Sequence, residues 1–433
     1  MTDKITKKKY YKITFDLASP LALGSGDNDN TDKDLILDSA GKPYIPASSI
    51  AGVVREYLEA NNSEQTRKYL GYVDVATATT KANQSESHIT FYDATITSKT
   101  WHISVRDRVA LDEYKTAKKG AKFDMEILEP RVSFETYIEQ DYTDGYNDDF
   151  GAEVVKVLLN GDPVLGGKGM RGYGRLTNIQ AVQREFGFPD KIAEWLDFDL
   201  FTATDWNQFE INTGSDGLKE IKLTLGLVDG ISIRKYTTRV STDDKTEPDM
   251  EQLTLSDDSE FDKRTPVIPG TSWAGAIAHR MSEFGVNTEK KGSIFGYVEG
   301  EGKDDKARSK IVFGESQLKD GSFKTISRNA IDRFTGGTVE GALFTERTYY
   351  GGTADLVIGW KSKDAIPEKE AKALAAALTD LHYGMLAVGG ETSIGRGVFK
   401  IKCINGQDIP ADTAENSEKT YSMILTKIEE TFK

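Results

Sequence analysis

The chain has 433 residues, with 55 Lys and Arg against 69 Asp and Glu, for a formal net charge of −14. That balance excludes indiscriminate binding to nucleic acid, because counterion release needs a local excess of cations, and it leaves room only for a focused basic groove. No apolar run approaches the ~18 residues of a membrane helix, and the single Cys403 excludes an internal disulfide and a thiolate metal cluster.

The length suits two to three domains, and a repeat selects two. Ser49-Ile50-Ala51-Gly52 recurs as Ser272-Trp273-Ala274-Gly275, 223 positions on. Phe91 recurs as Phe313, Asp107-Arg108 as Asp332-Arg333 and Gly166-Gly167 as Gly389-Gly390, at offsets of 222, 225 and 223. Four landmarks in one order at one spacing indicate a whole domain copied once. The domains are expected at residues 1–204 and 205–433, joined through the polar, aperiodic stretch Asp197 to Thr213.

In chain order, the amino terminus is basic (Lys4, Lys7, Lys8, Lys9) without the apolar stretch of a secretory signal, which predicts a cytoplasmic address. Tyr11, Ile13, Phe15 and Leu17 then alternate with polar residues as in a half-buried strand, and Ile221, Leu223, Leu225 and Leu227 do the same in repeat two. After the Pro43-Tyr44-Ile45-Pro46 turn, Ser48 and Ser49 suit an N-cap, and Ile50, Val53, Val54 and Leu58 follow at helical spacing. Thr271 and Ser272, with Trp273, Ile277 and Met281, predict the equivalent helix. Long hairpins are expected in Phe123 to Glu139 and Gly341 to Trp360. A second helix is expected at about Ala152 to Asn160 and at Lys369 to Tyr383, the latter with a core stripe of Leu374, Leu378, Leu381 and Met385. Glycine-rich loops then lead into strands at Arg175 to Val182 and Gly397 to Ile404. Strand, helix, strands, helix, strand is the order of a ferredoxin-like, RNA-recognition-type α+β sheet with insertions.

The loop Gly167-Lys168-Gly169-Met170-Arg171-Gly172 matches the dinucleotide fingerprint only in letters, since it follows a helix and feeds a strand. Two readings stay open: a tight turn, or glycines admitting a ligand beside the charges of Lys168, Arg171 and Arg175. Its counterpart Gly389 to Gly397 keeps only Arg396. The carboxylates Asp27, Asp29, Asp32 and Asp34 lack the glycine and preceding helix of a calcium loop, which leaves a polar surface loop or a divalent-ion site. The serine pairs lack a nucleophile elbow, and their helix starts suit either capping or phosphate. No histidine of His88, His102, His279 and His382 falls at zinc-ligand spacing.

Pro-Tyr-Ile-Pro-Ala-Ser-Ser and Pro-Val-Ile-Pro-Gly-Thr-Ser, the two Asp-Arg segments and the two glycine loops together resemble the RAMP superfamily of CRISPR-associated proteins. The resemblance is to backbone subunits of type III effector complexes, in two fused copies like the double subunits of type III-D systems. It implies two palm domains of RNA-recognition type, each with a β-hairpin thumb, at about Arg106 to Tyr137 and Arg328 to Tyr350. It implies crRNA along the palm, a complementary single-stranded target RNA, and other type III effector subunits as partners. Guide contacts would fall to Lys42, Ser48, Ser49, Arg55, Arg108, Gly167, Lys168, Arg171 and Arg175 in repeat one, and to Thr271, Ser272, Arg280, Arg333 and Arg396 in repeat two. In slicing members an aspartate before the proline turn is essential for target cleavage, and here it matches Asp32. That carboxylate would hold a divalent metal (Mg²⁺ or Mn²⁺) or accept the 2′-hydroxyl proton. Asp249 or Glu251 stands near the equivalent place in repeat two. A non-catalytic crRNA scaffold is the alternative. Alanine at Ala51 and Ala274, where single-copy relatives carry a cation, departs from the family pattern.

Overall fold

A computed structural model describes residues 4–26, 31–74, 83–111, 117–161, 164–167, 169, 172–209, 219–236, 248–257, 259–300, 305–410, 413 and 416–433. The chain divides into two compact units. The first comprises Met1–Val105, Asp124–Gly169 and Tyr173–Gly217; the second takes in Arg106–Phe123, Met170–Gly172 and Leu218–Lys433.

In the first unit the alternating segment forms the strand Lys7–Leu17, flanked on one side by Leu176–Gly187 and on the other by Ser133–Tyr142. Ile89–Phe91 and Ala94–Ile96 pair with the far edge of Ser133–Tyr142. The spatial order is last, first, third, second, with antiparallel neighbours, which is the ferredoxin-like arrangement. Tyr11, Ile13, Phe15 and Leu17 all point into one core, where Ile50, Val54 and Leu58 of the helix Ala47–Leu70 and Val154, Val155 and Leu158 of Phe150–Leu159 cover them. Period two on the strand and period 3.6 on the helix converge on one dry layer.

The second unit repeats this order with Phe399–Ile404, Lys219–Leu227, Thr353–Trp360, and the pair Ile311–Phe313 and Ser316–Lys319. Both first strands carry a bulge against the last strand, between Thr14 and Asp16 and between Thr224 and Leu225. The helices are Gly270–Glu283, burying Trp273, Ile277 and Met281, and Glu368–His382, burying Leu374, Leu378 and Leu381. Met385 lies beyond the helix end and is 62% exposed, so it leaves the expected stripe. A further helix, Ser417–Thr431, packs on Glu368–His382 through Ile424 and Ile428, and Phe432 stacks on Trp360.

Neither first helix uses its serines or threonine as caps: the N-cap residues are Pro46 and Pro269, and the hydroxyl residues sit inside the first turn. The proline carbonyl already accepts from the third residue on, Ser49 N–H at 2.9 Å and Ser272 N–H at 2.9 Å. The stretch after Leu176–Gly187 is also more than a polar join. Trp195, Phe198, Phe201 and Trp206 lie over the sheet face opposite the helices, against Tyr10, Phe186, Tyr92 and Tyr137. The Trp195 indole donates to the Tyr10 hydroxyl at 2.9 Å. Among the described residues no helix is long and apolar enough to cross a membrane.

Candidate nucleic-acid interface

Three of the segments singled out by sequence meet in the first unit. A concavity of about 350 Å³ is lined by Gly166 and Gly167, by Ser49 of the first helix, by Lys33, and by Met125 and Glu126. The glycines serve the protein's own backbone. A Cβ on Gly166 would lie 2.5 Å from the Ala22 carbonyl oxygen and one on Gly174 1.8 Å from that of Leu165, and both residues have positive φ. In repeat two Gly389 and Gly397 meet the Ser232 and Val388 carbonyls at 2.8 and 1.9 Å in the same way. Close packing of loop on strand therefore explains these glycines, and it shapes the wall of the concavity.

Asp32 stands beside Lys33, exposed. Its backbone N–H donates to Asp124 Oδ1 at 2.9 Å, and Asp124 N–H donates back to Asp32 Oδ2 at 3.0 Å. Asp249 repeats the arrangement: its N–H donates to the Thr345 carbonyl and its Oδ2 accepts from Thr345 N–H, each at 2.8 Å. Glu251 instead pairs with Arg347 at 3.4 Å. Of the two candidates in repeat two, Asp249 shares with Asp32 a carboxylate that accepts from a backbone N–H, Thr345 and Asp124 respectively. Asp34 is buried, accepting from the N–H and hydroxyl of Thr31, while Asp27 and Asp29 lie outside the described residues. Among the described residues no three acidic, histidine or cysteine side chains gather as a metal cluster. Asp32 and Asp124 offer two hard carboxylates, a donor set that suits Mg²⁺ or Mn²⁺ only where substrate phosphate and water fill the remaining positions.

The adjacent serines at the first helix splay apart, as ~100° per residue requires. Ser49 faces the concavity above, and Ser48 lines a second one of about 310 Å³ with Ala47, Ala51 and Arg55. Arg55 donates to the carbonyls of Gly71, at 2.9 Å, and Leu70, and sits 3.5 Å from Glu59. The helix start is already met by a carboxylate, since Ala47 N–H donates to Asp93 at 2.7 Å. The residue matching Asp93 in repeat two is Glu315, which pairs within the second unit with Arg106 at 2.5 Å, both side chains 4% exposed. Thr271 and Ser272 are half-buried, and Arg280 pairs with Asp380 at 2.6 Å and with Glu283.

Lys42 and Arg333 are exposed, Arg333 beside the fully exposed Phe334 at a hairpin tip. That hairpin, Ser322–Ile331 with Thr338–Tyr350, is turned by Asp332, whose carboxylate accepts from Phe334 and Thr335 N–H at 3.0 and 2.7 Å. These bonds hold Asp332 below the usual carboxylate range. The hairpin Arg108–Leu111 with Ala117–Phe123 is shorter, and Asp107 sits at its base, 3.5 Å from Lys122. The two Asp-Arg pairs therefore occupy different places, because the arms differ in length. Arg175 is half-buried, and burial pushes its guanidinium below its ordinary range while leaving it charged. Arg396 is buried, with Glu391 at 3.0 Å and Glu346 at 3.1 Å, so its charge faces protein. Lys168, Arg171 and the Arg108 side chain lie outside the described residues. Sequence reasoning missed Asp124, Glu126, Arg106, Arg234 and Arg328, whose partners lie far off in the chain and leave no local signal.

A family model described as the RAMP superfamily matches residues 14–177 and 250–400. No curated protein matches the chain. Among solved structures, one titled "Cryo-EM structure of the Type III-B Cmr-beta bound to cognate target RNA" aligns at 21% identity and a TM-score of 0.30. That alignment covers 40% of this chain and 61% of the other, less than two thirds of its length.

Proposed function

The chain belongs to the RAMP superfamily, and from that premise we propose that it is a backbone subunit of a type III CRISPR ribonucleoprotein. It binds crRNA along its palms and cleaves complementary target RNA, with Asp32 as the main catalytic carboxylate and Asp249 as its counterpart. The observation that carries this reading is the concavity joining the glycine loop, the first helix and the Asp32 loop, with Asp32 exposed beside it. RNA cleavage by its own 2′-hydroxyl needs that oxygen in line with the departing 5′-oxygen, a geometry that a stacked A-form strand does not offer. A protein that bends the strand at a fixed place and puts a carboxylate there supplies both requirements. Asp124 N–H fixes the carboxylate through Oδ2 and leaves Oδ1 to act. A divalent cation held by Asp32, with Asp124 in support, would stabilise charge on the phosphate.

A second reading, a scaffold without chemistry, is favoured by the same bond, since Asp32 and Asp124 close their loops on each other. Replacing Asp32 with Ala in the assembled complex and mapping the target fragments separates the two. Loss of one set of cuts supports catalysis; a complete set of products with intact RNA binding leaves the scaffold.

A further inference from the structure

The glycine loop of repeat two carries a dense cluster of charge. Glu391, the residue after Gly389-Gly390, lies among three guanidiniums: Arg396 Nε at 3.0 Å, Arg234 Nη2 at 3.1 Å and Arg328 Nη1 at 3.4 Å. Arg396 also reaches Glu346 at 3.1 Å. Burial alone would raise the Glu346 pKa, but the hydrogen bond from Ser232 and the charge of Arg396 hold it low. Three cations thus face two anions, an excess of one positive charge. The buried Arg396 Nη2 has no hydrogen-bond partner. Arg234 and Arg328 are 29% and 30% exposed, so the cluster is closed at Arg396 and open to solvent at the other two.

Planar guanidinium forks recognise carboxylate and phosphate by the same paired N–H geometry. In repeat one the residue at the matching place, after Gly166-Gly167, is Lys168, a cation where Glu391 is an anion. Glu391 itself has left-handed backbone, φ 55°, at the start of the short helical turn Thr392–Ile394, which aims its carboxylate at the three guanidiniums.

We propose that Arg234, Arg328 and Arg396 form a seat for one phosphodiester of bound RNA, and that Glu391 fills this seat until the phosphate displaces it. The proposal rests on the RNA-binding reading above and names a contact in repeat two that neither Arg396 alone nor the glycines supply. Repeat one would then take RNA at an open concavity, and repeat two only by exchange of one anion for another.

The test uses the full chain with two probes, inorganic sulfate and a mixed-sequence single-stranded RNA. E391Q should be stabilised by sulfate in a saturable way, relative to chloride at equal ionic strength, where the parent chain is not. It should bind RNA roughly tenfold more tightly than the parent, with the slope of log affinity against log salt steeper by about one. The double variant R234Q/R328Q, which keeps Arg396 and Glu346 paired in the interior, should bind RNA roughly tenfold more weakly with a slope shallower by about one to two. Folded E391Q without a sulfate response, or R234Q/R328Q with unchanged RNA affinity and slope, overturns the proposal. Sulfate uptake by E391Q with no RNA binding by any form establishes the anion seat and sinks the RNA reading instead.

Discussion

At the level of single residues, each repeat holds an aspartate carboxylate on a backbone N–H. Asp32 rests on Asp124 N–H and Asp249 on Thr345 N–H, at 3.0 and 2.8 Å. If these carboxylates act on RNA, Asp32→Asn keeps the accepting oxygen and the fold but loses the charge. Target cleavage at one position should then fall by ~10²–10⁴-fold, as for loss of a general base, with crRNA binding unchanged. Asp249→Asn should remove a different cut and Glu251→Gln none, read from end-labelled fragments of a single target. The buried Arg106–Glu315 pair gives a stability counterpart. Glu315→Ala leaves a buried guanidinium without its carboxylate and should cost about 3–5 kcal/mol by denaturant titration. Joint replacement by Met and Leu should cost much less, and equal losses in the two variants would show that packing rather than charge is at stake.

Elements were legible where one period governed them. Tyr11, Ile13, Phe15 and Leu17 alternate because one sheet face lies on helices, and Ile50, Val54 and Leu58 recur because one helix face does. The aromatic cover over the other face had no such signal: Trp195, Phe198, Phe201 and Trp206 follow an irregular path, the first two meeting Tyr10 and the last two meeting Tyr137. Helix starts were readable from the proline turns, but the capping role was not, since Pro46 and Pro269 take the position that the hydroxyl residues suit by type. The candidate site was half legible. Asp32 and the glycine loop stood out locally, whereas Asp124 is 92 residues from its partner and Arg396 is neutralised by Glu346, 50 residues away. The cover also closes the face that an RNA-recognition sheet uses for stacking bases. Phe198→Ala, removing ring contacts to Tyr10 and Phe186, should cost about 1–3 kcal/mol, below the range of a fully buried ring. It should leave the Asp32 cuts intact. A change in cleavage register would mean that the covered face bears on RNA.

Across the whole molecule, one architecture carries two different electrostatic interiors, and this difference predicts how the protein fails in alkali. In the first unit Tyr11 and Tyr142 both donate to Asp149, Tyr142 at 2.8 Å, and Tyr92 donates to Glu139 at 2.8 Å. Burial, followed by the adjoining carboxylates, raises all three phenols above their ordinary range, and burial likewise raises Tyr10, Tyr69 and Tyr137. In the second unit burial raises Tyr349. A phenol held above its unfolded value of ~10 keeps its proton in the native state where the unfolded chain has released it. Unfolding then sheds protons, so the stabilisation is complete below about pH 10 and declines as the pH climbs past it. With six such tyrosines against one among the described residues, the first unit should unfold at lower pH than the second. Tyrosinate absorbance should rise in a cooperative step with loss of the first unit's amide protection, while protection in Lys219–Leu227 and Thr353–Trp360 persists. Tyr142→Phe, which removes one of these phenols, should move that step to higher pH. A smooth titration centred near pH 10 with both units still protected would show that these hydroxyls ionise as if in water, against the bonds to Asp149 and Glu139.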